Sequence, residues 1–316
     1  MFVVMRRLFL ILTVLTVLLT TVGCGPSATD TPPAPADSTA LRLGVLPTME
    51  CLPFYAAAAT GVFDSLGVSV RLLTYEAAMD ADTAFQRGHV DAVCTDLVKA
   101  VLWRSEGQDV RLAMAADLQL YLVTARQARL KTGASLKEKI VAYTRNSAPD
   151  YTADHMLALA RLGSQQLNKP QINNIPLRTQ MLLNAQYDGA LLPEPFASQA
   201  MAAGNNLVYQ SQNLKQANPL FAVVVGDSVR KARGKEIQQL ARAYDAVVER
   251  LSRTDSTDAA QWMHYLPLPA TWPDSVVVVP QLKPSCKPTD AVVDSVKQWL
   301  RGRSLLKNEV KYSDLF

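Results

Sequence analysis

The chain has 316 residues, 49% hydrophobic and 19% charged, enough to bury one large core or two smaller ones. Its formal net charge of +4 comes from scattered Lys and Arg, with no basic block interleaved with aromatics, so nucleic-acid binding has no support. No GxGxxG, P-loop or GxSxG motif occurs. His155 has no Glu or His at zinc-site spacing, so neither a metal nor another cofactor is expected.

The N-terminus bears on location. Residues 1–7 include Arg6 and Arg7 and no acid, residues 8–22 are almost wholly apolar, and Thr21-Val22-Gly23-Cys24 closes the run. This is the pattern of a secretory signal, shorter than the ~20 apolar residues of a membrane span. A Cys directly after small residues resembles the bacterial lipobox, although Thr21 stands where leucine is usual. Residues 1–24 are therefore expected to be a lipoprotein signal peptide, with Cys24 lipidated; two or more acyl chains anchor far better than one. Residues 25–40, rich in Pro, Ser, Thr and Ala, read as a flexible tether. Cys51, Cys94 and Cys286 remain, an odd number. Cys51 and Cys94 each fall near the carboxyl end of an expected strand; a disulfide between them is open outside the cytoplasm, and buried free thiols are the plainer reading.

Residues 41–46 are an apolar strand, followed by the loop 47–53, a helix at 54–60 and a strand at 68–74. Such strand–loop–helix–strand units build parallel sheets, with ligands beyond the carboxyl ends of the strands. A helix over 77–87 ended by Gly88, a strand at 90–94, a helix over 97–105 and a strand at 110–115 continue the first α/β lobe. Residues 118–124 read as a first crossing strand into a second lobe. That lobe holds a strand at 139–143, a loop at 145–151, a helix over 152–162, a short strand at 173–176, a helix over 178–185, a strand at 188–192, a helix over 197–203 and a strand near 207–210. Residues 221–225 read as the second crossing strand. A long helix over 229–253 and segments 259–265, 276–279 and 289–301 complete the first lobe. The expected organisation is 41–119 with 220–316 as lobe 1 and 120–219 as lobe 2, and two crossings make a cleft that can open by hinge motion. Residues 88–93 faintly echo residues 186–191: a helix ends, an Asp follows, and a buried strand begins.

Polar and aromatic residues gather where strands end. The candidate ligand-binding residues are Thr48, Met49, Glu50, Cys51 and Phe54; Tyr75 and Glu76; Thr95 and Asp96; Asn146, Asp150 and Tyr151; and Glu194 and Phe196. Small-molecule sites combine apolar walls with a few placed polar groups; aromatics offer stacking area and carboxylates accept from N–H donors. For Asp96 and Asp150, capping a helix is an equal alternative.

The residues that carry a resemblance are Leu43-Gly44 through Pro53-Phe54-Tyr55, Gly61-Val62-Phe63, the stretch 84–92 with its Gly88 and Asp91, the run 181–197 ending in Pro193-Glu194-Pro195-Phe196-Ala197, and the tail at 296–300 and 312–315. Over roughly residues 41–316 the chain resembles the periplasmic solute-binding proteins of the sulfonate, nitrate and thiamine-precursor group, served by ATP-driven importers. The resemblance implies an α/β, two-lobed periplasmic-binding-protein fold of type II whose two crossovers form a hinge. It also implies a monomer that partners a small-molecule ligand, a cognate membrane permease and its ATPase, with no chemistry on the ligand. Arg145 is the only basic residue among the expected cleft groups, against Glu50, Glu76, Asp96, Asp150 and Glu194. That balance, with Phe54, Tyr55, Tyr75, Tyr151 and Phe196, favours a flat donor-bearing heterocycle such as an aminopyrimidine thiamine precursor over a simple anion. A sulfonate- or nitrate-type binder, an enzyme on the same fold acting on a thiamine or menaquinone precursor, and a sensor that docks a receptor are the alternatives.

Overall fold

The computed structural model describes residues 39–214 and 218–316; the apolar leader, Cys24 and residues 25–38 lie outside them. Among the described residues no helix is long and apolar enough to cross a membrane. The strands are β1 (Leu41–Val45), β2 (Val70–Thr74), β3 (Ala92–Asp96), β4 (Val110–Ala116), β5 (Leu120–Thr124), β6 (Val141–Ala142), β7 (Gly189–Pro193), β8 (Asn206–Gln210) and β9 (Phe221–Gly226). They form two sheets, one of five strands in the order β2-β1-β3-β9-β4 and one of four in the order β6-β7-β5-β8.

The five-stranded sheet is apolar on both faces because helices cover both. In β9, Phe221, Val223 and Val225 pack with Phe54, Leu240, Tyr244 and Val247, while the alternate residues Ala222 and Val224 pack with Val98, Val101, Val296 and Leu300. This is the two-residue period of a strand expressed in packing. The first layer comes from the helices Leu52–Ala59 and Gly234–Ser252, the second from Leu97–Ser105 and Asp290–Gly302. In the four-stranded sheet, Leu120, Leu122 and Leu191 face Met156 and Leu157. Val123, Ala190 and Leu192 face Leu182, Ala197 and Ala200 on its other side.

β1 pairs in parallel with β2 and β3, and β9 returns antiparallel between β3 and β4. The chain passes between the sheets twice, immediately before β5 and β9, the strands expected at the crossings; β5 itself pairs along its length with β7 and β8, and β9 with β3 and β4. A strand hydrogen-bonded on both sides belongs to one sheet, so the crossings fall in the loops that precede β5 and β9. The echo between the halves has a structural counterpart. Asp91 Oδ2 accepts from the backbone N–H of Arg42 at 2.8 Å and Asp188 Oδ2 from that of Ile140 at 2.9 Å, each carboxylate pinning the start of a buried strand to its parallel neighbour. Gly88 takes φ 71° and lets the His89 N–H reach the Ala84 carbonyl at 2.8 Å, closing the helix Ala78–Gln86.

Two expected elements differ. No strand forms at 173–176; Asn174 caps the helix Ile175–Leu183 by accepting from the Leu177 N–H, with Pro176 in its first turn. The helix expected from 152 is Ala148–Leu159, again with a proline in its first turn. Asp150 and Tyr151 thus lie in a helix rather than a loop. Asp150 is fully buried and accepts from Arg303 Nη1 at 2.8 Å, Tyr151 Oη pairs with Ser295 Oγ at 2.7 Å, and Trp299 Nε1 donates to Asp154 Oδ2 at 2.9 Å. These bonds join the second sheet's helix to the helix Asp290–Gly302 of the first half. Arg303 is part-exposed and keeps Asp154 at 3.2 Å, so Asp150→Ala costs the lost hydrogen bonds rather than a stranded charge and should lower the unfolding free energy by about 1–3 kcal/mol, read from urea titration.

Candidate functional site

A cavity of about 70 Å³ lies where the two sheets meet, lined by residues of both. Its first wall is made of strand ends. The segment after β1 supplies Thr48 and the one-turn helix Met49–Cys51, from which Glu50 and Cys51 line the space. β3 ends in Cys94, Thr95 and Asp96, all on the cavity. Asp96 serves as N-cap of the helix Leu97–Ser105, its Oδ1 accepting from the Lys99 N–H at 2.9 Å. The capping alternative and the cavity placement therefore hold together for this residue.

Three carboxyls and one ammonium share this wall. Asp82 lies 5% exposed; its Oδ1 accepts from Thr95 Oγ1 at 2.9 Å, and its Oδ2 stands 3.5 Å from Lys99 Nζ without a hydrogen-bond partner. Burial raises the Asp82 carboxyl, against the lowering pull of Lys99 and Thr95. Burial also pushes Asp96 up to about 6 and Glu50 up to about 7. Against that rise, Glu50 is hydrogen-bonded by its own backbone, by the Thr48 side chain and, at 3.4 Å, by the Gln119 N–H.

The second wall carries Thr144, Ser147, Pro149, Ile175 and Arg178. Arg178, on the helix Ile175–Leu183, is 1% exposed. Its Nη1 donates to Thr144 Oγ1 at 3.2 Å and to the Ile172 carbonyl at 2.9 Å. Among the described residues its Nε has no hydrogen-bond partner and no carboxylate stands within ion-pair distance. Desolvation lowers the guanidinium to about 10, the mark of a charge withdrawn from water without a counter-ion.

The expected site residues divide. Thr48, Glu50, Cys51, Thr95 and Asp96 line the cavity together. Met49 and Glu194 line a neighbouring groove with Gln119 and Tyr121; the Met49 N–H donates to the Glu194 carbonyl at 2.9 Å, while the Glu194 carboxylate accepts from the Ser198 N–H and Oγ. Glu76 is exposed and accepts from Asn174 Nδ2 at 2.9 Å, bridging the halves outside the cavity. Asn146, at φ 52°, donates its N–H to Asp150 Oδ2, and Asp150 and Tyr151 are held as described above.

The aromatics go elsewhere, because large apolar rings gain most in the cores. Phe54 packs 5.5 Å from Tyr244, Phe196 stands edge-on to Trp272 at 5.6 Å, and Tyr75 packs in the second apolar layer of the five-stranded sheet. Phe221 is the ring that does line the cavity. Arg145 is exposed and donates to the Lys169 carbonyl, so the basic groups of the site are Lys99 and Arg178 instead. Cys51 and Cys94 are both free and buried, and burial beside Cys51 raises the Cys94 thiol.

Asp82, Lys99, Thr144, Ser147 and Arg178 carried no sequence signal strong enough to single them out. Asp82 offered a partial one, an acid between Ala81 and Ala84 on the buried side of its helix. Lys99, three residues past an expected cap, offered another. Arg178 offered none, since a helical Arg is ordinarily solvated.

Comparison with curated protein sequences gives no match. Among solved structures, the periplasmic aliphatic sulphonate binding protein SsuA from Escherichia coli is similar at TM-score 0.69 and 16% identity, over 88% of this chain and 97% of that one. The alkanesulfonate-binding protein SsuA from Xanthomonas axonopodis pv. citri, bound to MOPS, is similar at 0.72 and 17%, over 88% and 96%. The periplasmic nitrate-binding protein NrtA from Synechocystis PCC 6803 is similar at 0.67 and 12%, over 89% and 91%. These likenesses establish the periplasmic-binding-protein fold. Residues 34–264 match the NMT1-like family, and with most of its length so matched this chain belongs to that family.

Proposed function

We propose that this protein is the solute-capturing component of an ATP-driven importer, held at an extracytoplasmic membrane surface by lipid on Cys24 through the 25–40 tether. The observation that carries the reading is the cavity walled by both sheets of one chain, with buried charged groups facing it from each side. Residues 41–119 with 220–316, and 120–219, act as lobes about the two crossing loops. A solute that touches both walls gains contacts only when they are together, so its differential affinity for the closed form drives closure. The closed form is what a permease and its ATPase then accept. Both walls come from one chain, so a monomer suffices.

The cavity has room for roughly half a dozen waters, which suits a compact polar solute. An aminopyrimidine thiamine precursor would find acceptors in Glu50, Asp96 and Asp82 but little aromatic wall beyond Phe221. A sulfonate- or nitrate-type anion would find Arg178 and Lys99.

Three measurements test the reading. Thermal shift against aminopyrimidines, alkanesulfonates and nitrate should give a saturable rise in Tm for at least one, with the ligand recovered chemically unchanged; an altered product would move the assignment to an enzyme. In the bacterial host, Cys24→Ser should release the protein from membranes, and intact mass should show acyl chains on the wild type alone.

The third is pH. Folded Glu50 and Asp96 hold their protons more tightly than their ordinary values of 4.5 and 3.8 imply. Their contribution therefore favours folding fully below about pH 4 and is lost as pH rises through 6 to 7. Tm of the ligand-free protein should fall across that window, Glu50 alone accounting for up to about 3 kcal/mol, and Glu50→Gln should flatten the profile.

A further inference from the structure

Two buried polar atoms without a hydrogen-bond partner among the described residues belong to side chains of the same cavity, Arg178 Nε and Asp82 Oδ2. They come from opposite walls and have opposite needs. Arg178 offers a donor and a positive charge that no carboxylate offsets. Asp82 offers an acceptor: Lys99 Nζ, at 3.5 Å, offsets its charge without donating to Oδ2. Buried groups left in this condition are costly, and more so when charged.

Four kinds of occupant can be weighed against these needs. Water can meet both atoms' hydrogen-bonding needs, but it brings no negative charge to Arg178. A simple anion meets Arg178, yet the same small space also holds Asp82, Asp96 and Glu50, and a second negative charge beside them is unfavourable. A simple cation suits the carboxyls and is repelled by Arg178 and Lys99. A molecule carrying both signs meets each wall with its complement.

We propose that the solute is a small amphoteric molecule, with an oxyanion that accepts from Arg178 beside Thr144 and a cationic N–H group that donates to Asp82 beside Asp96. This rests on the capture reading and names its substrate class. It also gives closure a cause, since neither wall alone satisfies both ends of the molecule. The cavity limits the molecule to fewer than about ten non-hydrogen atoms.

The test is a thermal-shift screen of the wild-type chain with matched compounds. The core sets are 3-aminopropanoate, propanoate and propylamine, and the corresponding aminoalkyl and alkyl sulfonates and phosphonates, set within a wider library of compact metabolites that includes aminopyrimidines, nitrate and neutral polyols. The result expected is that every compound raising Tm carries both an oxyanion and a protonated nitrogen, and binds roughly 30-fold or more tightly than its one-ended analogues. Arg178→Gln should bring the zwitterion down to the affinity of the amine, and Asp82→Asn to that of the anion. The wild-type comparison decides the matter even where a variant fails to fold. A one-ended or uncharged compound that binds as tightly as any zwitterion overturns the amphoteric assignment and leaves solute capture standing. A library in which nothing raises Tm overturns both.

Discussion

An ionised guanidinium kept out of water between two sheets is the constraint around which this protein is arranged. Arg178 is almost fully buried, its Nη1 is held by Thr144 and a backbone carbonyl, and no carboxylate of the described residues offsets it. Groups in such a position ordinarily shift toward neutrality or acquire a partner. Here the guanidinium is lowered only to about 10, so it stays charged at neutral pH. In the proposal above, the oxyanion of the solute supplies its counter-charge.

The fold makes that arrangement tolerable. The surrounding backbone is tied into two sheets whose apolar faces are covered by helices, so the desolvation cost at the cavity is opposed by well-packed cores. Most contacts between the halves ring the cavity, and one lies in its lining, where the Asp96 carboxylate accepts from the Ala148 backbone N–H. The Asp150–Arg303 pair and the Tyr151–Ser295 bond join two helices on one side, the Glu76–Asn174 bond spans the halves, and the Met49 N–H meets the Glu194 carbonyl by the neighbouring groove. Several residues that read as ligand contacts from the sequence are these fasteners. They occupy the ends of strands and helices because that is where the halves touch.

The opposite wall uses a different device. Asp82, Asp96 and Glu50 crowd into one apolar space, and desolvation raises all three. Lys99 is shared between the two aspartates, through its backbone, which Asp96 caps, and its side chain, which approaches Asp82. The wall is thus rich in acceptors without carrying the full negative charge that its carboxyl count implies, and a solute with a donating end meets it at lower electrostatic cost than three ionised carboxylates would impose.

The sequence by itself determined the alternation of strands and helices, the buried strands after Asp91 and Asp188, the strand-end placement of Thr48, Glu50, Cys51, Thr95 and Asp96, and the resemblance to the binding-protein fold. These are local or periodic properties: a two-residue period, a cap, a glycine past a helix, a run such as Pro193-Glu194-Pro195-Phe196. Only the tertiary structure decided which strand ends converge, because convergence depends on pairing between residues such as Val93 and Val224, far apart in the chain. It sent Phe54 and Phe196 to apolar packing, where burial of a ring is worth most, and Asp150 to Arg303. It brought Arg178 and Lys99 to a site where only Arg145 had been expected to be basic. A side chain's charge is written in its identity, but whether that charge faces water or a cavity is set by what the rest of the chain packs around it.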